Sequence, residues 1–412
     1  MPLNLINARV IESSAFIAAP LAGLTLAQHG ADVIRVDMIG GGIDYARMPT
    51  MPSGRSLYWT GLNKGKRSIA IDLRKPEGRE LVAALVGAEG PDAGVLLTNI
   101  GVPWLAHDLL AKQRADVITC VIEGNPDGST AVDYTVNCAT GFPTMTGHGS
   151  IDAPVNHSLP AWDLACAYQA AFAVLAALDQ RRRTGLGAEL RLSLADVAFS
   201  ALSHLGLAAE AELLHRSRPS LGNHIYGAFG HDFATSDGQR VMVAGISAGQ
   251  WKSLVRACAL DEAIVALEQR TNRSMAVEEN RYEAREEIAA LVAEFIAARP
   301  FAAIAETFEQ NKVCWGKYET TQSLMKSDAR VATSNPVWQE IDTPGVGRHR
   351  AADTVVRQAG EPSSPIAAAP LLGAHTDAVL SDVLGLMSGE IGRLHDAGVV
   401  AGPERDPTCA RA

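Results

Sequence analysis

The chain has 412 residues, 47% of them hydrophobic and 20% charged, with a net charge of −10. That length and composition suit a soluble globular protein of two domains. The acidic balance argues against a nucleic-acid binder, because neutralising phosphates needs basic surface. The six cysteines, Cys120, Cys138, Cys166, Cys258, Cys314 and Cys409, are scattered without CxxC pairs, so neither a zinc site nor a dithiol redox motif is indicated, and reduced thiols in the cytoplasm are expected. The apolar run from Phe16 to Ala27 is broken by Pro20 and lacks a basic leader, which speaks against a signal peptide or a membrane span.

In chain order, apolar runs predict strands at Arg9 to Glu12, Val33 to Asp37, Ser68 to Asp72, Gly94 to Thr98 and Val117 to Ile122. Helices are predicted between them at Pro20 to His29, Glu77 to Val86 and Val102 to Leu110. This βαβ series predicts an α/β fold with a parallel sheet covered by helices, and ligands beyond the carboxyl ends of its strands. The loops after Glu12, Asp37, Asp72, Thr98 and Ile122 are therefore the ones expected to carry a site. Between Asn156 and Asp196, small apolar residues from Ala165 to Leu178 predict a buried helix that neighbouring backbone can approach closely. Asp163 falls in its first turn, where unpaired N–H groups favour a carboxylate, so it reads either as a cap or as a positioned functional acid. Arg181 to Arg183, Thr184, Gly185 and Gly187 close the helix, and Leu190 to Leu194 follows as a strand.

From Ser217 a smaller α+β domain is expected over 217–333. It has a glycine-punctuated loop at Leu221 to Gly227, a hairpin at Phe233 to Val243, and helices at Gln250 to Leu260, Val277 to Arg299 and Ala302 to Gln310. Residues 1–216 would form the first part of a large domain. Residues 334–412 would return to it, through an extended proline-rich connection and helices at Ala374 to Leu386 and Ser388 to Ala397, with a frayed tail from Gly402.

Three motifs carry chemical readings. Gly40 to Gly42 follow a strand but lack GxGxxG spacing, so no dinucleotide fingerprint is present. Asn63 to Ser68 holds Lys64, Lys66 and Arg67, which serve as well in a solvated turn as against a phosphate. Gly245 to Gly249 is a literal GxSxG between a strand and a helix, with Asp342 and His349, His375 or His395 downstream, the chain order of a serine hydrolase; no HGGG-like oxyanion segment precedes it.

The segments VIESSAFIAAPLAGLTLAQHGADVIRVD, SLYWTGLNKGKRSIAIDLRKPEGRELV, LLTN, AWDLACAYQAAFAVLAALDQRRRTGLGAELRLSLAD and APLLGAHTDAVLSDVLGL, in this order over nearly the whole chain, resemble the family III CoA-transferases of the CaiB/BaiF type. The resemblance implies a Rossmann-like large domain completed by the C-terminal segment, a smaller α+β domain, and an interlaced homodimer in which Ser334 to Pro370 wraps the partner. It implies an acyl-CoA substrate, with CoA as part of that substrate, no permanently bound cofactor and no metal. Asp163 corresponds to the family's covalent nucleophile. Ile17, Ala18, Met38, Asn63, Lys66 and Asn99 correspond to its CoA contacts, although relatives often carry Gln or Arg where Ile17 and Met38 stand here.

Within the family, GGGIDYARMP, VDYTVNCATGFPTMTG, VNHSLPAWDLA and GNHIYGAFGHDF resemble the branch that moves CoA between the C1 and C4 carboxyls of one dicarboxylate, mesaconate. Arg47, Gly222, His224 and Tyr226 lie in these segments and are expected at the substrate, the Gly222 loop as an oxyanion donor. An intermolecular transferase between two free acids is the alternative, and a non-catalytic CoA-binding protein is a third reading. An acyl-CoA racemase is disfavoured, because its proton-exchanging histidine would fall at Val132, ahead of Asp133 and Tyr134.

Overall fold

The computed structural model describes residues 8–356, 358–360 and 364–409. Strands β1 (Ala8–Ser13), β2 (Asp32–Asp37), β3 (Arg67–Ile71), β4 (Asp92–Thr98), β5 (Ile118–Glu123) and β6 (Ala188–Ser193) pair in parallel. Their order is β3-β2-β1-β4-β5-β6, and the short C-terminal strand Val400–Ala401 adds antiparallel beside β3 as a seventh. This is the doubly wound Rossmann-like order, with the reversal of winding between β1 and β4. Helices cover the central strands on both faces, so β4 is buried along its whole length and reads as a continuous apolar run. Ile11, Ile34, Val36, Ile69, Ile71 and Leu96 meet Val82, Leu85 and Val86 of helix Pro76–Gly87 in one core of this part of the chain.

Helix Ala18–Gln28 follows β1 and lies close against the sheet because of Gly23: a Cβ there would stand 1.7 Å from Oε2 of Glu12. The helix predicted around Asp163 runs from Ala161 to Thr184 and ends at Gly185, whose φ of 74° is left-handed and whose N–H bonds the carbonyl of Arg181. Its length and hydropathy would suffice to cross a membrane. In this fold it is the crossover before β6, and Cys166, Ala167, Ala170, Val174, Ala177 and Leu178 bury one side of it. On its other side Tyr168 and Phe172 are 56% and 66% exposed in the single chain.

The tail is also different from expectation. Asp406, past the predicted fraying point, is 1% exposed and accepts hydrogen bonds from Tyr45 (2.5 Å), the Leu372 N–H (2.7 Å) and the Thr408 hydroxyl (2.6 Å), with Arg55 at 3.4 Å. A buried guanidinium needs a carboxylate, and the tail supplies it. The connection expected to be extended folds part of its length into a hairpin, Trp338–Thr343 against Gly347–Ala352.

The chain divides into two compact units. The first contains the large sheet and the residues up to Thr140, His157–His215 and those from Ala329 onward. The second is Gly141–Asn156 with Arg216–Asp328, so 141–156, assigned to the large domain from sequence, groups with the second unit. That unit holds a three-stranded antiparallel sheet, Phe229–Ala234, Arg240–Gly245 and Cys314–Lys317. Phe229, Val241, Val243, Leu254, Ile288, Val292, Ile296 and Phe308 fill its core. The strand Cys314–Lys317 was not anticipated, because four residues carry too little alternation to signal one. The long helix expected from Val277 breaks at Ala284 into Glu278–Glu283 and Arg285–Ala297.

Candidate active site

The loop after β1 is held in place from two sides. Asn99, after β4, accepts from the Ala15 N–H at 2.9 Å and donates to the Ala15 carbonyl at 2.7 Å. Asp44 accepts from the Phe16 N–H at 3.0 Å, and Phe16 takes a φ of 63°, rare for a bulky residue. Ile17 is half-buried at the start of helix Ala18–Gln28, Ala18 is buried in its first turn, and Met38 is half-buried just after β2. Ile17, Met38 and Asn99 thus stand at the carboxyl edge of neighbouring strands, as expected, but the amide of Asn99 is committed to Ala15.

Asn63 and Lys66 are placed differently from the sequence expectation. Both side chains are buried, and the Lys66 ammonium donates to Glu12 (3.0 Å), Asn63 (3.0 Å) and the Pro20 carbonyl (2.8 Å). Burial lowers its pKa to about 8, with Glu12 acting against that fall. Arg35 completes the cluster, bonding Glu12 at 3.0 Å and Asp37 at 3.0 Å, with Asp44 at 3.5 Å. With every donor spent inside the protein, Lys66 is a strut of the sheet and not a contact for a phosphate.

Asp163 sits in the first turn of its helix, but it is not the cap. Asp133, which opens helix Asp133–Ala139 beyond β5, performs that role: its Oδ2 accepts the N–H groups of Trp162 (2.7 Å) and Asp163 (3.1 Å). Oδ1 of Asp133 meets Nε2 of His157 at 2.6 Å. Among the described residues the half-buried Asp163 carboxylate therefore keeps both oxygens free of hydrogen bonds. Burial, and then the charge of Asp133, raise its pKa to about 7. It is an acid poised between its two protonation states at neutral pH.

Two aromatic rings and a cation share this neighbourhood. The Arg47 guanidinium lies 5.5 Å from the ring of Phe16 and 5.2 Å from that of Tyr58. Burial pushes the Tyr58 phenol up to about 12, with Arg47 opposing and Asp163, Asp44 and Tyr134 adding to the rise. Tyr58 is thereby within electrostatic reach of both Arg47 and Asp163, and keeps its proton. Arg47 was legible from its segment; Asp133, His157, Phe16 and Tyr58 were not assigned roles, although the run of Asp133 and Tyr134 had been noted for the histidine missing ahead of it.

The remaining sequence candidates lie in the second unit. The N–H of Gly222 is taken by the Gly147 carbonyl at 2.7 Å, so that donor is not free for an oxyanion. His224 stacks on His231 with ring centroids 3.9 Å apart, and Tyr226 packs on Tyr282 at 5.2 Å beneath Arg218. Ser247 of the GxSxG sequence caps helix Ala248–Ala257, accepting from the Gln250 N–H, and no histidine bonds it among the described residues. A serine whose hydroxyl caps a helix without a base beside it is not an activated nucleophile. Val132, where a racemase would carry its histidine, is an exposed valine.

A doubly wound sheet that offers an unbonded, half-ionised carboxylate at its carboxyl edge defines an α/β enzyme suited to acyl transfer through a carboxylate. The sequence model of CoA-transferase family III matches residues 5–376, and the chain belongs to that family. It is 47% identical over 399 residues to 2-methylfumaryl-CoA isomerase of Chloroflexus aurantiacus, covering 96% of this chain and 98% of that one. It is 25% identical to the succinyl-CoA:glutarate CoA-transferase of Homo sapiens, over 95% and 89% of the two chains. Among solved structures, a CAIB/BAIF family protein from Brucella suis superposes with a TM-score of 0.74 at 23% identity, over 93% of this chain and 99% of that one.

Proposed function

We propose that this enzyme moves CoA within one molecule, from the C1 to the C4 carboxyl of mesaconate, converting 2-methylfumaryl-CoA to 3-methylfumaryl-CoA. The observation that carries the reading is the Asp163 carboxylate, left without hydrogen bonds by the capping of Asp133. The identity to a 2-methylfumaryl-CoA isomerase over almost the full length of both chains supports the choice of substrate.

Ionised Asp163 attacks the thioester carbonyl, the C–S bond breaks, and CoA leaves as thiolate from a mixed anhydride. The thiolate attacks the aspartyl carbonyl, giving an enzyme-bound CoA thioester and free mesaconate. The acid turns, its C4 carboxylate attacks that thioester, and the thiolate released attacks the C4 carbonyl of the new anhydride. Asp163 is regenerated as carboxylate. Thioester and anhydride lie close in energy, so no ATP is needed, and water must be kept from both. Arg47, steadied by two rings, supplies a cation for the carboxylate that is not reacting, and Tyr58 supplies a protonated phenol. CoA enters as part of the substrate.

An intermolecular transferase would draw on free acid. When the reaction runs in the presence of isotopically labelled mesaconate, label should stay out of the 3-methylfumaryl-CoA formed. Incorporation as fast as isomerisation would assign the chain to the intermolecular class instead.

We further propose a homodimer in the cytoplasm. Tyr168, Phe172, Phe199, Leu213 and Leu214 are exposed on consecutive helices, with Leu205 exposed at the turn between the last two, a quantity of apolar surface that a second copy would cover. Gel filtration with light scattering should give the mass of two chains at micromolar concentration, and a stable monomer would refute the assembly. The six cysteines carry no disulfide, in keeping with a reducing compartment.

A further inference from the structure

A helix N-terminus needs only a neutral oxygen, and Ser or Asn would cap Ala161–Thr184 as well as an acid. The chain instead places there a carboxylate that is 2% exposed, from another helix, with a histidine on its second oxygen. Burying a carboxylate is costly unless it is paired and hydrogen-bonded, and here two backbone N–H groups and an imidazole are committed to it. The two helices are also pinned beside it by the Trp162 indole N–H, which donates to Asn137 Oδ1 at 3.0 Å. The distance from Asp133 to its neighbours is therefore fixed by packing on both sides.

We propose that Asp133, held by His157, is a positioning residue of the reaction: it fixes the first turn that carries Asp163 and sets a second carboxylate against the Asp163 carboxylate, a repulsion that acylation of Asp163 removes. The inference rests on Asp163 being the nucleophile. The attacking anion is a like charge to Asp133, whereas the anhydride and the thioester formed on Asp163 are neutral. Asp133 therefore favours the covalent states over the free carboxylate, and the same repulsion contributes to the raised pKa of Asp163. Asp133 acts on Asp163 directly, Tyr58 and Cys166 lie within its electrostatic reach, and behind these stand His157 on Asp133, Tyr134 against the His157 ring and Arg47 over Tyr58. Asp133 is the acidic one among them.

Asp133→Asn tests this, because the carboxamide oxygen still caps the helix while the charge is gone. The acid limb of the kcat/KM profile should move down by about one pH unit, and the share of enzyme trapped as aspartyl-CoA thioester at steady state should fall roughly tenfold, the same energy read twice. Asp133→Ser, a shorter neutral cap, should do the same and replaces the first variant if that fails to fold. An acid limb and a trapped fraction that stay at the wild-type values, in a folded neutral variant, would reduce Asp133 to a cap and overturn the proposal. Hydroxylamine trapping in the wild type separates the two levels: no adduct at Asp163 would remove the underlying reading, while an adduct with an unmoved limb would remove only this one.

Discussion

Asp163→Asn should lower kcat by ~10³-fold or more, the scale on which loss of a covalent nucleophile is felt, while the protein stays folded and still binds CoA. The amide has nearly the shape of the acid but cannot attack a thioester. The fold has no reason to suffer, because the N–H groups of Trp162 and Asp163 are satisfied by Asp133 and not by the side chain being changed. The pH dependence of stability gives a second, independent reading. The folded-state pKa of Asp163 is raised to about 7 by burial and by Asp133, so its contribution is fully present below the ordinary carboxylate range and is lost as pH rises through about 7. The Asn variant should accordingly melt at or above the wild-type temperature at pH 8, with the difference gone near pH 4. Turnover within tenfold of wild type would remove Asp163 from the chemistry, and a collapse of the melting temperature at pH 8 would show that its role in the fold has been misjudged.

Asp406→Ala should cost about 3 to 5 kcal/mol, the usual penalty for removing one partner of a buried ion pair. The Arg55 guanidinium, fully buried, would keep the Pro370 carbonyl at 2.6 Å but lose its carboxylate, and Tyr45 and the Leu372 N–H would lose their acceptor. A fall in the urea midpoint with an unchanged slope would register this, and an unchanged midpoint would contradict it. Burial alone would raise the Asp406 pKa, but hydrogen bonds from Thr408 and Tyr45 more than offset that and hold it below the ordinary value. This depressed pKa makes its stabilisation present above the ordinary carboxylate range and lost as pH falls through the lower folded value, so the chain should weaken in acid at Asp406, the opposite sense to Asp163.

These two aspartates show how far sequence reasoning reached. Asp163 could be found because small-residue periodicity marks its helix and because its whole segment resembles a known family. Asp406 was read as part of a frayed tail, since nothing local distinguishes an acid waiting for Arg55 from one in solvent. The same holds for Lys66, which the neighbouring Lys64 and Arg67 made look like a phosphate contact. The strands β1 to β5 were legible because buried parallel strands are continuous apolar runs, and the strand Cys314–Lys317 was not, being too short to show a period.

By itself the sequence determined the order of strands and helices, the α/β class and the family, and singled out Asp163 as the candidate nucleophile, since each depends on patterns local to the chain or on whole segments. Only the tertiary structure decided which polar groups are already spent: Lys66 on Glu12 across 54 residues, Asn99 on Ala15 across 84, and the helix cap on Asp133 across 30, so that Asp163 is left free. Hydrogen bonds between distant residues leave no period in a sequence, because the partner is chosen by how the strands are ordered in the sheet and not by spacing along the chain.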